Sequence, residues 1–284
     1  MKLEIFSFNL GFISGGALNK ENTLTKKLSS TNAILIYLSL FKLILLLVFA
    51  GNYGIFRDEY YYIETSKHLA FGYVDLQPLS AILLAISRFI FGDSIFGIRI
   101  FSYLAGSAIV FVTGLIAREL GGSKFAQISS AFLVIFSGVV LGASSYFSMN
   151  SFDILLSTLM LYYLIKLINT NNSKLWIVIG ILFGVGLENK LSFLFLGFGL
   201  AVGLLLTKFR NQLKAKELWI GTALAVLIFL PNVIWQIANH YPTLEFMHND
   251  ALYKNKSMGL LKFFTSSLFE LNLGYTVFIF QQRR

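Results

Sequence analysis

The sequence has no cysteine and only three prolines, and charged residues make up just 13% of its 284 positions. The missing cysteine excludes a disulfide framework and any thiolate metal site. Soluble domains are about 25% charged and roughly 45–50% apolar. This chain is 56% hydrophobic, with a mean hydropathy of +0.71. With half the usual charge it cannot cover a folded soluble surface. An ordinary water-soluble domain, a disordered chain and a nucleic-acid-binding domain are therefore excluded as first readings. No Gly-x-x-x-x-Gly-Lys-Ser/Thr loop is present, which argues against ATP-driven transport. No Gly-x-Ser-x-Gly elbow is present either. No internal repeat is evident, so the broken-helix pairs of an inverted-repeat transporter are not matched.

What the chain does have is long apolar runs. A hydrocarbon core about 30 Å thick needs about 20 mainly apolar residues to cross it. Runs of this kind lie at about Ala33–Ala50, Ile95–Ala117, Phe125–Ala143, Phe152–Ile168 and Leu218–Ile237. The stretch Leu175–Leu206 is too long for one span and short for two, and Glu188-Asn189-Lys190 is its only charged break. A weaker run, Leu260–Phe280, carries Glu270. The composition thus predicts an all-α, polytopic membrane bundle of about seven or eight spans. The polar first segment lacks the short apolar core of a signal peptide. Residues 1–32 are expected to form a cytoplasmic leader, 33–280 the transmembrane domain and 281–284 a short tail.

With the N-terminus inside, the inner connections hold Lys2, Lys20, Lys26, Lys27, Arg118, Lys124, Lys166, Lys174, Lys208, Arg210, Lys214 and Lys216. That density fits the positive-inside rule. Asp58, Glu59, Glu64, Asp75, Asp93, Asp153, Glu188, Glu245 and Asp250 then gather on the outer side or at its edge. Acidic residues contribute little to topology. Their asymmetry fits either a binding or catalytic face outside, or long outer loops carrying both signs of charge.

Four constellations can carry chemistry. The first outer loop, residues 51–94, is rich in aromatic residues and is no flexible linker. Tyr60, Ile63, Lys67 and Ala70/Phe71 have helical spacing, which predicts an interfacial helix with its apolar side on the membrane. Asp58 and Glu59 are adjacent carboxylates whose repulsion and desolvation suit a general base; Asp58 equally suits a helix cap. The second is Ser148-Met149-Asn150-Ser151-Phe152-Asp153, where an Asp at the lip of an apolar span needs a partner or water, or else caps the helix. In the third, Lys190 suits a lipid phosphate, simple snorkelling, or a pair with Glu188. The fourth is Trp235–Asp250, a segment at the end of the seventh run that enters the outer loop 238–260. There His240, Glu245, His248 and Asp250 are nitrogen and oxygen donors, without the tight spacing of a two-His motif. Solvated loop residues are the plainer reading of that set.

The run Arg57-Asp58-Glu59-Tyr60-Tyr61-Tyr62, then Ser66 to Asp75 and Pro78-Leu79, resembles the first outer loop of the polyprenyl-phosphate-sugar-dependent glycosyltransferases. These form glycosyltransferase family 39, with the GT-C membrane fold. They are bacterial relatives of the protein O-mannosyltransferases and of the lipid A aminoarabinose transferase. Asn150 to Asp153, Leu187 to Phe193, and Trp235-Gln236 with His240 to Phe246 are similar too. The resemblance implies transfer, on the outer (periplasmic) face of a bacterial cell membrane, of a sugar from a polyprenyl phosphate donor. The acceptor would be a lipid, glycan or protein, and no nucleic acid is implied. Asp58, with Glu59 and Asp153, would be catalytic. Arg57, Lys190 and Asp75 would meet the donor or its phosphate. A divalent metal is allowed but not required, with Asp75, His240 and His248 as candidate ligands. Gln77 departs from the family pattern, which commonly has two prolines after the acidic residue. Family members also continue through further spans, which implies a C-terminally truncated chain. A lipid-linked substrate transporter and a non-catalytic remnant of the family are the competing readings.

Overall fold

The computed structural model describes residues 30–52, 54–253 and 259–270, the side chains of 267–270 excepted. Among the described residues, four helices are long and apolar enough to cross a membrane. They are α1 (Thr31–Phe49, continued by a 3-10 turn to Asn52), α4 (Ile95–Glu119), α7 (Met149–Thr170) and α10 (Lys216–Ala238). Each lies where hydropathy alone puts a span. The chain is an integral membrane protein.

Other apolar runs break. The run expected at Phe125–Ala143 is two helices, α5 (Lys124–Ile135) and α6 (Gly138–Ser145), bent by 54°. The Leu175–Leu206 stretch divides into α8 (Leu175–Asn189) and α9 (Phe193–Leu206). A 3-10 helix, Lys208–Lys214, then leaves α9 at 106°. The last run enters the structure as α12 (Leu260–Glu270). Residues 271–280, the leader up to residue 29 and the 281–284 tail lie outside the described residues.

The first loop holds two helices, α2 (Arg57–Lys67) and α3 (Pro78–Phe91). Here the expected apolar face needs correction. The α2 helix stops at Lys67, short of Ala70 and Phe71, and it buries Glu59, Tyr62, Thr65 and Ser66 while Tyr60 stays exposed. Tyr62, Leu76, Leu84, Ile98, Phe147 and Phe152 form one core cluster, so this face of α2 packs on the bundle. The segment after α10 is likewise mostly helical, as α11 (Pro242–Tyr253).

Close packing explains several of the glycines. A Cβ on Gly180 would lie 2.2 Å from the Gly221 carbonyl oxygen, so α8 and α10 touch backbone to backbone. Small residues permit this approach inside a membrane, where apolar burial no longer drives association. Lys42, in the middle of α1, is fully buried, and its Nζ donates to the Ile135 carbonyl at 2.9 Å. That carbonyl ends α5 at the bend, so the ammonium serves a backbone acceptor that the broken helix frees.

The connections put the two ends of the bundle in different chemical settings. Arg118, Lys124, Lys166, Lys174 and the Lys208–Lys216 segment share one end, with Glu119 and Glu217 as its acids. The first loop, the start of α7, the α8–α9 break and the end of α10 share the other.

Candidate functional site

The α2 helix begins with a reciprocal cap that separates the two adjacent carboxylates. Glu59 Oε2 accepts from the Phe56 amide at 2.7 Å and from Arg99 Nη2 at 2.7 Å. Glu59 Oε1 accepts from Arg99 Nε and from the Phe147 amide, both at 2.8 Å. The Glu59 side chain is 0% exposed and that of Arg99 4%. Arg99 Nη2 also donates to the Gly54 carbonyl. Every acceptor position of Glu59 is thus engaged, and it faces no open space. This buried carboxylate ties α2 to α4 and to the segment before α7.

Asp58 is different. The N-cap residue is Phe56, and the cap interaction belongs to Glu59, so the helix-cap reading of Asp58 fails. Its side chain is 49% exposed and its Oδ1 lies 3.0 Å from Arg57 Nε, whose side chain is 89% exposed. One turn later sits Tyr62, whose hydroxyl accepts from the Met149 amide at the start of α7. Burial pushes the Tyr62 hydroxyl up to about 12, and the charges of Asp58 and Asp75 add to this. Both carboxylates therefore act on one phenol beside the first turn of α7.

Asp75 accepts from the Tyr61 hydroxyl at 2.5 Å. Burial, then this bond, raises the Tyr61 hydroxyl above its ordinary value, so it stays a donor. The segment carrying Asp75 is held from behind. The Tyr73 hydroxyl is packed among the Thr65 and His68 carbonyls and the Ala70 amide. Asn232 on α10 donates to the Phe71 carbonyl at 2.9 Å, and Thr243 donates to the Tyr73 carbonyl at 3.2 Å. Gly72 lies under the Trp235 ring, where a Cβ would come within 2.4 Å. Gln77 is buried as the N-cap residue of α3, directly before Pro78.

The α7 helix is capped by Ser148, which accepts from the Asn150 amide, so Asp153 is no cap. Asp153 faces Lys190 across 3.9 Å. Lys190 Nζ donates to Asn150 Oδ1 at 3.1 Å. Its side chain is about a third exposed. Lys190 therefore pairs with Asp153, not with Glu188. Glu188 Oε2 is buried without a hydrogen-bond partner among the described residues. Asn189 between them is fully buried; it accepts from Ser80 on α3 and donates to the Met149 carbonyl. This one side chain fastens the α8–α9 break to α3 and to the start of α7.

Arg57, Asp58, Asp75, Asp153 and Lys190 thus share one end of the bundle, joined through Tyr61, Tyr62, Asn150 and Asn189. Below the break, an apolar cavity of about 520 Å³ runs between α8, α9 and α10, from Trp176 and Leu218 up to Leu187 and Val233. His240 and His248 are exposed on the α10–α11 turn and on α11. His240 and Tyr241 adopt left-handed backbone, with φ of 61° and 58°. Among the described residues no group of three or more His, Asp or Glu side chains is arranged to hold a metal ion. The buried cations Lys42 and Arg99 are what sequence reasoning missed; a basic residue inside an apolar run was the signal.

The profile of the dolichyl-phosphate-mannose-protein mannosyltransferase family matches residues 75–235. An undecaprenyl phosphate-alpha-4-amino-4-deoxy-L-arabinose arabinosyl transferase 1 of Pseudomonas fluorescens is 30% identical over 169 residues, covering 58% of this chain and 29% of that protein. The corresponding transferase of Pseudomonas aeruginosa is 28% identical over 213 residues, covering 68% of this chain and 38% of that protein. Lipid A galacturonosyltransferase RgtD of Rhizobium johnstonii is 25% identical over 215 residues, covering 74% of this chain and 45% of that protein. The chain therefore spans less than half the length of these relatives. No solved structure matches it. With the matched profile running from Asp75 through the α8–α9 break to Trp235, the chain belongs to the dolichyl-phosphate-mannose-protein mannosyltransferase family.

Proposed function

We propose that this chain transfers a sugar from a polyprenyl phosphate donor to a hydroxyl acceptor, with the Asp58–Lys190 end of the bundle on the outer face of the membrane. The observation that carries the reading is the Lys190 ammonium, held by Asn150 and Asp153 three residues past Leu187, which lines an apolar cavity. A lipid phosphate needs a cation at the interface and an apolar slot for its tail, and these are adjacent here. The opposite end is the basic one, which supports the orientation.

In this reading Asp58 takes the proton of the acceptor hydroxyl as its oxygen attacks the anomeric carbon. The bond from that carbon to the phosphate oxygen breaks, and the electron pair leaves with the polyprenyl phosphate. The leaving group needs charge stabilisation more than a proton, and Lys190 supplies it, with Arg57 as a second cation. Asp153 sets the position of Lys190. Asp75, oriented by Tyr61, faces the acceptor side. Glu59 is a positioning residue that acts through the start of α2. The relatives' names point to 4-amino-4-deoxy-arabinose and to lipid A chemistry, so an aminopentose or uronic acid donor and a lipid acceptor are the first to try.

The test is glycosyl transfer in proteoliposomes with a panel of radiolabelled polyprenyl phosphate sugars and a membrane acceptor extract. Wild-type transfer that falls about 100-fold or more in Asp58→Asn supports the reading, the usual share of a general base. Equal transfer by both removes Asp58 from the chemistry. A folded chain that transfers nothing across the panel overturns the proposal for this chain.

A further inference from the structure

A second cavity, of about 450 Å³, lies on the other flank of α9. Gly197 and Ala201 line the first cavity, Leu196, Gly199 and Gly203 line the second, and Leu200 and Leu204 lie between. The second cavity descends along α7, past Leu164 and Leu167, toward the basic end of the bundle. Its floor there is polar. Gln212 lines the cavity, accepts from Trp176 Nε1 at 3.2 Å and donates to Asn171 Oδ1 at 2.8 Å. Phe209 and Thr207 line it beside Gln212.

The 3-10 helix Lys208–Lys214 supplies the rest of the geometry. In a 3-10 helix residues three apart eclipse one another. Phe209 and Gln212 thus share the row that faces the cavity. Lys208 and Lys214 share the row on one side of it, and Arg210 lies on the other. All three cations are exposed, and none makes an ion pair among the described residues. The 106° turn at the end of α9 lays this collar across the mouth instead of continuing the helix away from it. Apolar depth with a cationic, hydrogen-bonding rim is complementary to an anionic amphiphile with its apolar chains inside and its headgroup at the rim.

We propose that this cavity binds an anionic phospholipid on the far side of α9 from the donor cavity, with which it shares Met160, Trp176, Leu200 and Leu204 as lining, and that the headgroup sits at the opposite end of the bundle from Asp58 and Lys190. The acyl chains lie between α7 and α9, and the phosphate meets Lys208, Arg210 and Lys214. Being wedged against α9, the bound lipid holds that short helix in place, so it supports the wall that the two cavities share.

The experiment is native mass spectrometry of the purified full chain with equal amounts of phosphatidylglycerol and phosphatidylcholine. The wild type is expected to retain phosphatidylglycerol over phosphatidylcholine by about tenfold or more. The triple variant Lys208→Gln, Arg210→Gln, Lys214→Gln is expected to bind both alike. The variant Lys208→Arg, Lys214→Arg should keep the preference and serves as the folding control. A Cβ on Gly199 meets nothing within 4 Å, so Gly199→Leu fills the cavity without a backbone clash and should lose both lipids. An unchanged preference in the glutamine variant overturns the proposal, as does full lipid retention in Gly199→Leu. Displacement of phosphatidylglycerol by undecaprenyl phosphate also overturns it, by making the two cavities one donor site.

Discussion

Replacing Glu59 by glutamine changes one atom at a place where four donors converge. Oε1 receives Arg99 Nε and the Phe147 amide, and Oε2 receives Arg99 Nη2 and the Phe56 amide. A glutamine keeps one acceptor oxygen and points an NH₂ at two donors. It also strands the Arg99 guanidinium, 4% exposed, near the end of a membrane helix. Removing one member of a buried pair costs about 3–5 kcal/mol, because the other charge is left uncompensated. Glu59→Gln should therefore lose about that much in reversible denaturation in mixed micelles. Amide exchange at Phe56 and Phe147 should rise with it. A double variant Glu59→Leu, Arg99→Leu should recover only part of the loss, since two backbone amides stay unserved. Asp58→Asn, half exposed one residue away, should leave stability within about 0.5 kcal/mol of wild type. A Glu59→Gln loss below about 1 kcal/mol, or equal losses for Glu59 and Asp58, would refute the argument that the two carboxylates have separate roles.

Other outcomes follow from the same geometry. Lys190→Gln should lower transfer by about 100-fold while Lys190→Arg keeps part of it, read as turnover at saturating donor. Gly72→Val should detach the Phe71–Asp75 segment from Trp235, seen as faster proteolysis of the first loop and loss of transfer with the α10 span intact. For Tyr62, a folded value near 12 lies above its ordinary 10.0. The stabilisation it gives is complete below pH 10 and is lost as pH rises through about 12. Tyr62→Phe should thus flatten the fall in stability across that alkaline window, and an unchanged slope would argue against a buried phenol. Asp93 is held below the usual carboxylate range by its hydrogen bond from Arg88. Its contribution is therefore lost on the acid side, and Asp93→Asn should remove that acid dependence and leave the neutral-pH fold intact.

The spans were legible because hydropathy reports burial in lipid directly, and α1, α4, α7 and α10 lie within a few residues of the apolar runs. The bends were not, since nothing in the local sequence at Phe136-Ser137 says that a helix turns by 54° there. The acidic pair shows the limit most clearly. Asp58 and Glu59 are the same chemistry at adjacent positions. What separates them is Arg99, forty residues on and inside a span, together with the amide of Phe147. The face of α2 was misread for a related reason. Helical spacing of Tyr60, Ile63 and Lys67 marks a stripe, but the buried stripe runs through Glu59, Tyr62 and Ser66, where a charge and hydroxyls find partners. Lys190 was legible as a cation at a break; that Asp153 and Asn150, and not Glu188, would hold it depends on the meeting of α7 and α8.

Lys42 has a consequence for how the protein is made. Its ammonium sits in the middle of the first span, and its partner, the Ile135 carbonyl, is 93 residues later in the chain. While α1 is being handed to the membrane, α5 has not been synthesised. The first helix must then enter hydrocarbon with a bare charge, or wait at the insertion machinery until the bend arrives. Retention of α1 beside the translocon is the natural solution. The broken helix has the matching need, a carbonyl freed at the bend that the Lys42 ammonium serves. The two segments depend on each other for stable residence in lipid, so nascent chains ending before residue 135 should release α1 less completely than chains ending after it.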